Sequence, residues 1–319
     1  MRMNRRFLYW GIFLVAIGGV LVAADLGAVD TAMLTDALRL WPLAIVAIGL
    51  SLVLRRTQLS LPGLLLAAAL PGLVLGSAFA VGPRFIGDCG RGQSASVATT
   101  QGVFDGPATV SVRTGCGSLN VKTAPGNGWQ LDAGNTAGRT PAVESSARSL
   151  SIDGASDAGN FFDGGHEAMD LTLPASDLDA VSLVVFAGHA QVDLPGARIN
   201  SLALTVNAAQ AAVDASAASV ADVSAVVNVG SLSIDLPAAS NLVGSFRVGA
   251  GELQICTPPG LGLRVTSSGT AEQIRVEGIA QHASVWQSPD YASATHRADL
   301  RVSATFGGVE INPIGGCKK

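Results

Sequence analysis

Three aspartates, Asp193, Asp214 and Asp235, recur at 21-residue intervals, each followed two positions on by Pro or Ser. Strands that neighbour one another lie about 4.8 Å apart, so carboxylates repeated on such a scaffold gather oxygen donors on one surface. Ca2+ takes oxygen ligands, and this row is the candidate cation site of the chain. The plainer reading is a solvated row that keeps a sheet surface in water. A second acidic group, Asp153, Asp157, Asp163, His166 and Glu167, lies in a Gly-rich stretch without the spacing of a calcium-binding loop.

The four histidines, His166, His189, His282 and His296, are scattered, with no metalloprotease pairing among them. Neither a nucleophile elbow nor a phosphate-binding loop occurs. No catalytic residue is therefore assigned, no resident cofactor is implied, and the expectation is a protein that is not an enzyme.

The elements that would carry the aspartates are set by a repeat. Pro174, Pro195, Pro237 and Pro258 share one 21-residue lattice, with Ser216 at the missing node, and Val185, Val206, Val227 and Val248 keep the same period. Fixed-period self-similarity means stacked units, each covering the apolar edge of the next. Short Val, Leu and Ile runs separated by small-residue turns predict strands, with Val192, Leu194 and their equivalents inward and the aspartates outward. The expected fold is a β-solenoid or a rack of stacked hairpins over 102–315; a leucine-rich repeat fits less well, because its asparagine does not recur in register. Gly115–Val121 and Gly307–Pro313 match Gly249–Ile255 and extend the stack, while 127–165 and 259–300 read as less regular insertions.

Ahead of this domain lies a membrane region, 1–82, joined by a Gly- and Ser-rich linker, 83–101. Its apolar segments are 7–24, 40–54 and 59–82. A helix rises about 1.5 Å per residue and the hydrocarbon layer is about 30 Å thick, so the first and third can span. The second is short and needs local thinning or snorkelling of Arg39 and Arg55. Small residues at Gly11, Gly18, Gly19 and Gly49 suit close helix packing, and Tyr9, Trp10 and Trp41 suit interfacial anchoring. Arg2, Arg5 and Arg6 before the first span, and Arg55 and Arg56 after the second, place those flanks in the cytoplasm. Three spans then put the β domain outside the cytoplasmic membrane of a multi-pass protein; two would leave it in the cytosol. The basic start also resembles a signal peptide, but the apolar run is longer than a usual signal core.

Four cysteines, Cys89, Cys116, Cys256 and Cys317, all follow the membrane region. None has zinc-ribbon or thioredoxin spacing, and an even count in an exported domain suggests two disulfides. Of three pairings, Cys89–Cys116 with Cys256–Cys317 would staple the start and the end of the domain. The chain's net charge is −4, and residues 1–60 carry six Arg against three Asp, so the remainder is the more acidic part. That excludes nucleic acid as an expected partner.

Residues 6–56 resemble the transmembrane region of LiaI- and LiaF-type bacterial envelope proteins. The likeness lies in paired apolar spans, the Asp25-Leu26-Gly27 exit, Leu40-Trp41-Pro42-Leu43 opening the second span, and Ile48-Gly49-Leu50 with Arg55-Arg56 closing it. Residues 103–313 resemble the "putative adhesin", or toast-rack, β domain in their Gly-x-Gly-x-Leu-x-Val pattern and Leu-Pro-closed units. The resemblance implies a role in sensing or modulating cell-envelope stress beside a histidine kinase or another membrane regulator. The alternative is a structural or adhesive module binding glycan or protein without signalling. This chain departs from the pattern in its third apolar segment and its four cysteines.

Overall fold

The computed structural model describes residues 5–25, 46, 68–73, 97–154, 165–176, 178–269 and 274–317. The chain divides into two compact units, Met1–Gly87 and Asp88–Lys319.

In the first unit, α1 (Arg5–Asp25) is a 21-residue helix over the segment expected at 7–24, and over its described residues it does not meet the length and apolarity of a membrane span. Trp10, Leu14, Val15 and Val22 are all exposed, and the Trp10 and Phe13 rings meet edge-on at 5.6 Å. Residues 68–73 are helical as well. A Cβ on Gly72 would meet the Phe13 carbonyl oxygen at 2.7 Å and the Ala16 Cβ at 2.8 Å, so the close approach is made there. Around Gly11, Gly18 and Gly19 nothing lies within 4 Å of such a Cβ. Among the described residues no helix is long and apolar enough to cross a membrane. The segments expected at 40–54 and 59–82, with Trp41, Pro42, Gly49, Arg55 and Arg56, lie outside the described residues apart from the helical positions named.

The second unit is built from strands. At its start are β1 (Val97–Val103), β2 (Ala108–Ala124), β3 (Gly128–Asn135), β4 (Ala142–Ser145), β5 (Ser149–Asp153) and β6 (Glu167–Pro174). Its centre holds β7 (Leu178–Asp193), β8 (Arg198–Asp214), β9 (Ser219–Asp235) and β10 (Leu242–Cys256). Then come β11 (Gly262–Gly269), β12 (Ile274–Val276), β13 (Gln281–His282), β14 (Val285–Gln287), β15 (Arg297–Ala304) and β16 (Gly308–Ile311). All belong to one 16-stranded sheet. β1 starts inside the stretch read as linker, because Val97–Val103 pairs antiparallel with β3.

β7, β8, β9 and β10 pair in parallel, each residue opposite the one 21 positions on, as in Val185↔Val206, Val206↔Val227 and Val248↔Val227. Parallel ladders decide for a solenoid over stacked hairpins, which pair antiparallel. Every long strand bends midway into two legs. At the bend Asn207 and Asn228 drop out of the ladder, and the Asn228 amide donates to Asn207 Oδ1 at 2.7 Å. Gly188 and Gly230 follow the bend with φ of 113° and 109°. A Cβ on Gly230 would land on the Ala209 carbonyl oxygen of the rung below, and one on Gly188 would land on that of Gly117. At these two rungs the left-handed backbone leaves no room for a Cβ; β8, between them, carries Ala209 at the same register position without a positive φ.

The legs close over one continuous core. Val181, Leu183 and Val185 of the first leg and Val192 and Leu194 of the second are buried, as are Val213, Ile234 and Ile255 on the same lattice. Each such side chain contributes about 1.5–3 kcal/mol by leaving water. Pro195 needs no backbone donor in the turn that ends its unit. Where Ser216 replaces proline, its N–H and hydroxyl donate to Asp214 Oδ1 at 3.1 and 2.6 Å, an Asx turn that fixes the same corner.

Outside the centre the rungs leave chain order. β5 and β6 together form a rung against β2, opposite β7, with β4, β3 and β1 added antiparallel beyond them. At the other end β15 and β16 lie between β10 and the rung of β11 and β12, and β14 and β13 close the edge antiparallel. The stretches read as irregular insertions thus supply the outermost rungs.

Candidate binding face

The outward side of the second legs presents three rows fixed by register. Ser118, His189, Gln210, Ser231 and Glu252 form one row, and Asn120, Gln191, Ala212, Ser233 and Gln254 the next. Lys122, Asp193, Asp214, Asp235 and Cys256 form the third. The first two rows line a trough of about 570 Å³, with small residues Ala211, Ala212, Ser231 and Ser233 as its low centre. Asn120, His189 and Gln191 stand on one side, and Glu252 and Gln254 on the other. The Gln254 amide donates to Glu252 Oε1 at 2.8 Å, which holds both at the rim.

The middle row continues past the trough at both ends, and there its polar groups are paired. The Asn120 amide donates to Asp170 Oδ1 at 2.7 Å. Beyond it, Asp132 accepts from the Thr99 hydroxyl at 2.6 Å and from the Gln130 amide at 2.8 Å. The Thr99 hydroxyl first, the Gln130 amide second, and the nearby charge of Lys122 hold the Asp132 carboxyl below the usual carboxylate range. At the far end Arg275 lies 3.8 Å from Glu310. In the trough the two rows together offer the His189 imidazole, the Gln191 and Gln210 amides and the Ser231 and Ser233 hydroxyls, with Glu252 as the charged group. That arrangement suits an extended polar ligand lying across the rungs and hydrogen-bonding at their spacing.

The aspartate row stands in register, and within it Asp214 fixes the Ser216 turn. Among the described residues, the ligating atoms that gather within 4.8 Å of one another belong to Asp235, Cys256 and Cys317. Cys256 and Cys317 form a disulfide with Cα atoms 5.9 Å apart, closing a 61-residue separation. Cys116 is also disulfide-bonded; Cys89, its expected partner, lies outside the described residues.

Among its described members, the second acidic group does not gather its carboxylates at one place. Asp153 points to solvent beside Arg113, 3.5 Å away. Glu167 is turned inward and buried, where Oε2 accepts from the Gly115 N–H at 3.1 Å and the Thr114 hydroxyl at 3.3 Å. Its carboxylate takes backbone and hydroxyl donors at the bend of β2, where the neighbouring rung opens into the 154–166 connection. Asp157 and Asp163 lie outside the described residues. His166 Nδ1 sits 3.4 Å from Cys116 Sγ.

A third polar cluster had no signal in linear spacing. The Tyr291 hydroxyl reaches both Asp299 carboxylate oxygens at 2.9 Å, and Arg264 Nε donates to Asp299 Oδ1 at 2.6 Å. The Arg264 and Arg297 guanidinium carbons lie 4.7 and 5.6 Å from the Tyr291 ring centre, within cation–π range. Burial first, then the hydrogen bond to Asp299, pushes the Tyr291 hydroxyl up. Arg264 and Asp299 meet because β11 and β15 pair in parallel, a register no sequence period announces.

The family model described as the LiaI-LiaF-like transmembrane region matches residues 8–53. Among solved structures, the chain is similar to a putative cell adhesion protein from Clostridium sporogenes ATCC 15579, at 12% identity over 68% of this chain and 99% of that one, with a TM-score of 0.42. It is also similar to a putative adhesin from Bacteroides fragilis NCTC 9343, at 11% identity, 68% and 98% coverage and a TM-score of 0.29. A further putative adhesin, from Parabacteroides merdae ATCC 43184, gives 11% identity, 70% and 97% coverage and a TM-score of 0.29. These are distant likenesses, and nothing about function passes along them. No curated protein matches the chain.

Proposed function

We propose that this chain is a non-enzymatic membrane protein of the bacterial cell envelope, whose β stack stands outside the cytoplasmic membrane and whose membrane region reports on it to a partner. The match of residues 8–53 to the LiaI-LiaF-like transmembrane region carries the reading. Disulfide-bonded Cys256, Cys317 and Cys116 support an oxidising compartment for the β domain. The trough supplies a surface that a polar envelope component can occupy, and the membrane region supplies contact with a sensor kinase or another membrane regulator. The chemistry asked of the protein is recognition: hydrogen bonds from the exposed His189, Gln191 and Gln210 hold the ligand, and the rigid stack keeps their spacing.

The test is an Ala212→Trp variant in the native host, read with an envelope-stress reporter. Ala212 faces outward at the centre of the trough, so the bulky ring fills the site without entering the core. Loss of the stress response at unchanged protein level and melting temperature supports the proposal. An unchanged response in both this variant and a chain lacking residues 97–317 overturns it and leaves adhesion as the role. Impermeant thiol labelling of intact cells, with and without reduction, reads the side of the membrane: labelling of the β domain only after reduction is the expected result.

A further inference from the structure

Asp235 and Cys256 are register neighbours across β9 and β10, and Cys317 is joined to Cys256. A carboxylate oxygen of Asp235 and the two Sγ atoms lie within 4.8 Å of one another at half-buried positions. We propose that reduction of this disulfide converts the cluster into a zinc site. A dithiol reductant breaks the S–S bond and ends as its own disulfide, leaving Cys256 and Cys317 as thiols. Zn2+ then displaces one proton from each thiol and binds the two thiolates and the Asp235 carboxylate.

The geometry needs little beyond parting the sulfurs. Zinc holds thiolate sulfur at about 2.3 Å and carboxylate oxygen at about 2.1 Å, which sets tetrahedral S···S near ~3.8 Å. The Asp235 carboxylate oxygen lies within 4.8 Å of both sulfurs, so closing the three-ligand set asks for a shift of about an ångström. Gly315 and Gly316, with φ of 103° and 82°, precede Cys317, so the Cys317 side can move while Cys256 stays fixed in its ladder. The fourth position takes water, since Asp214, the register partner of Asp235, holds the Ser216 turn. Thiolate ligands select zinc over calcium, so the end of the aspartate row takes a different class of ion from the one its carboxylates alone would suit. Disulfide and metal exclude each other, and the site loads only under reducing conditions.

The test uses the full chain in detergent, reduced with a phosphine that leaves zinc free, and titrated with Zn2+ against a chromophoric chelator. Reduced wild type is expected to bind one more Zn2+ than the Cys256→Ser/Cys317→Ser variant, a difference that cancels the contribution of the other cysteines. Oxidised wild type should lack that ion. Asp235→Asn should weaken it about tenfold or more, and Zn2+ should raise the melting temperature of the reduced wild type but not of the double variant. Equal zinc content in reduced wild type and double variant overturns the proposal. So does an Asp235→Asn chain with wild-type affinity, which would make the site one of thiols alone. Reduced wild type that unfolds and is not rescued by Zn2+ overturns it as well.

Discussion

The centre of the β stack and its two ends are held by different means. From β7 to β10 every rung repeats the same inward aliphatic positions at the same register, so the interactions are many, alike and shared between neighbours. At the ends single side chains are used once. Glu167 serves the donors at the bend of β2, and Tyr291 with Arg264 ties down Asp299 near the other end. Repetition tolerates small changes in any one rung but not a change in how rungs stack, whereas an end depends on particular polar atoms.

The contrast breaks most visibly at Gly230. Gly230→Val adds a Cβ that lands on the Ala209 carbonyl oxygen at a φ of 109°. A cost of about 3 kcal/mol or more is expected from strain and overpacking together, read as a fall in melting temperature of the whole domain. Glu167→Ala comes next. It leaves the buried Thr114 hydroxyl and Gly115 N–H without this acceptor, and about 1–3 kcal/mol is expected; amide exchange should quicken in β2, β5 and β6 and not in β15. Tyr291→Phe should cost less, about 1 kcal/mol, because Arg264 still holds Asp299, and faster exchange should appear in β11 and β15 alone. A whole-domain loss from either end variant would erase the distinction between centre and ends.

The smallest expected effect concerns pH. Asp132 has its folded carboxyl lowered, so its contribution is present above the unfolded carboxylate value and is lost as pH falls through the lowered folded value. Thr99 lies on β1, whose residues are mostly exposed, so β1 is the strand expected to loosen in acid. Protection of the β1 amides, with exchange corrected for its intrinsic pH dependence, should fall down the acid range in wild type. That fall should be smaller in Asp132→Asn.

How much of this was legible beforehand follows the same division. The 21-residue lattice of Val and Pro carries the register directly, since a residue and its lattice partner are ladder neighbours. It even places Asp214 beside the Ser216 node that it secures. The segments 127–165 and 259–300 carry no lattice, and they hold the strands that leave chain order, β5 with β11 and β12 among them. Nothing in their local pattern states which existing edge they join, because parallel pairing is a non-local choice made by the whole core. For that reason the Tyr291 cluster has no signature in the local sequence, and of the Asp153–Glu167 group the described Asp153 faces solvent while Glu167 is buried. The aspartate row was visible as a row; the gathering of sulfur with Asp235 depends on where Cys317 arrives.

One feature of the topology reaches into biosynthesis. β15 and β16 wedge between β10 and the rung made earlier in the chain by β11 and β12. A chain emerging from the ribosome or a translocon therefore holds β10 with an open edge until residues 297–311 arrive, however well its earlier rungs have formed. A product cut short before that point lacks the rung that joins β11 and β12 to the stack and leaves strand edges bare to proteases and to other chains. The architecture thus makes the rung of β15 and β16 a check on the stack: only a chain translated through it can join β11 and β12 to β10.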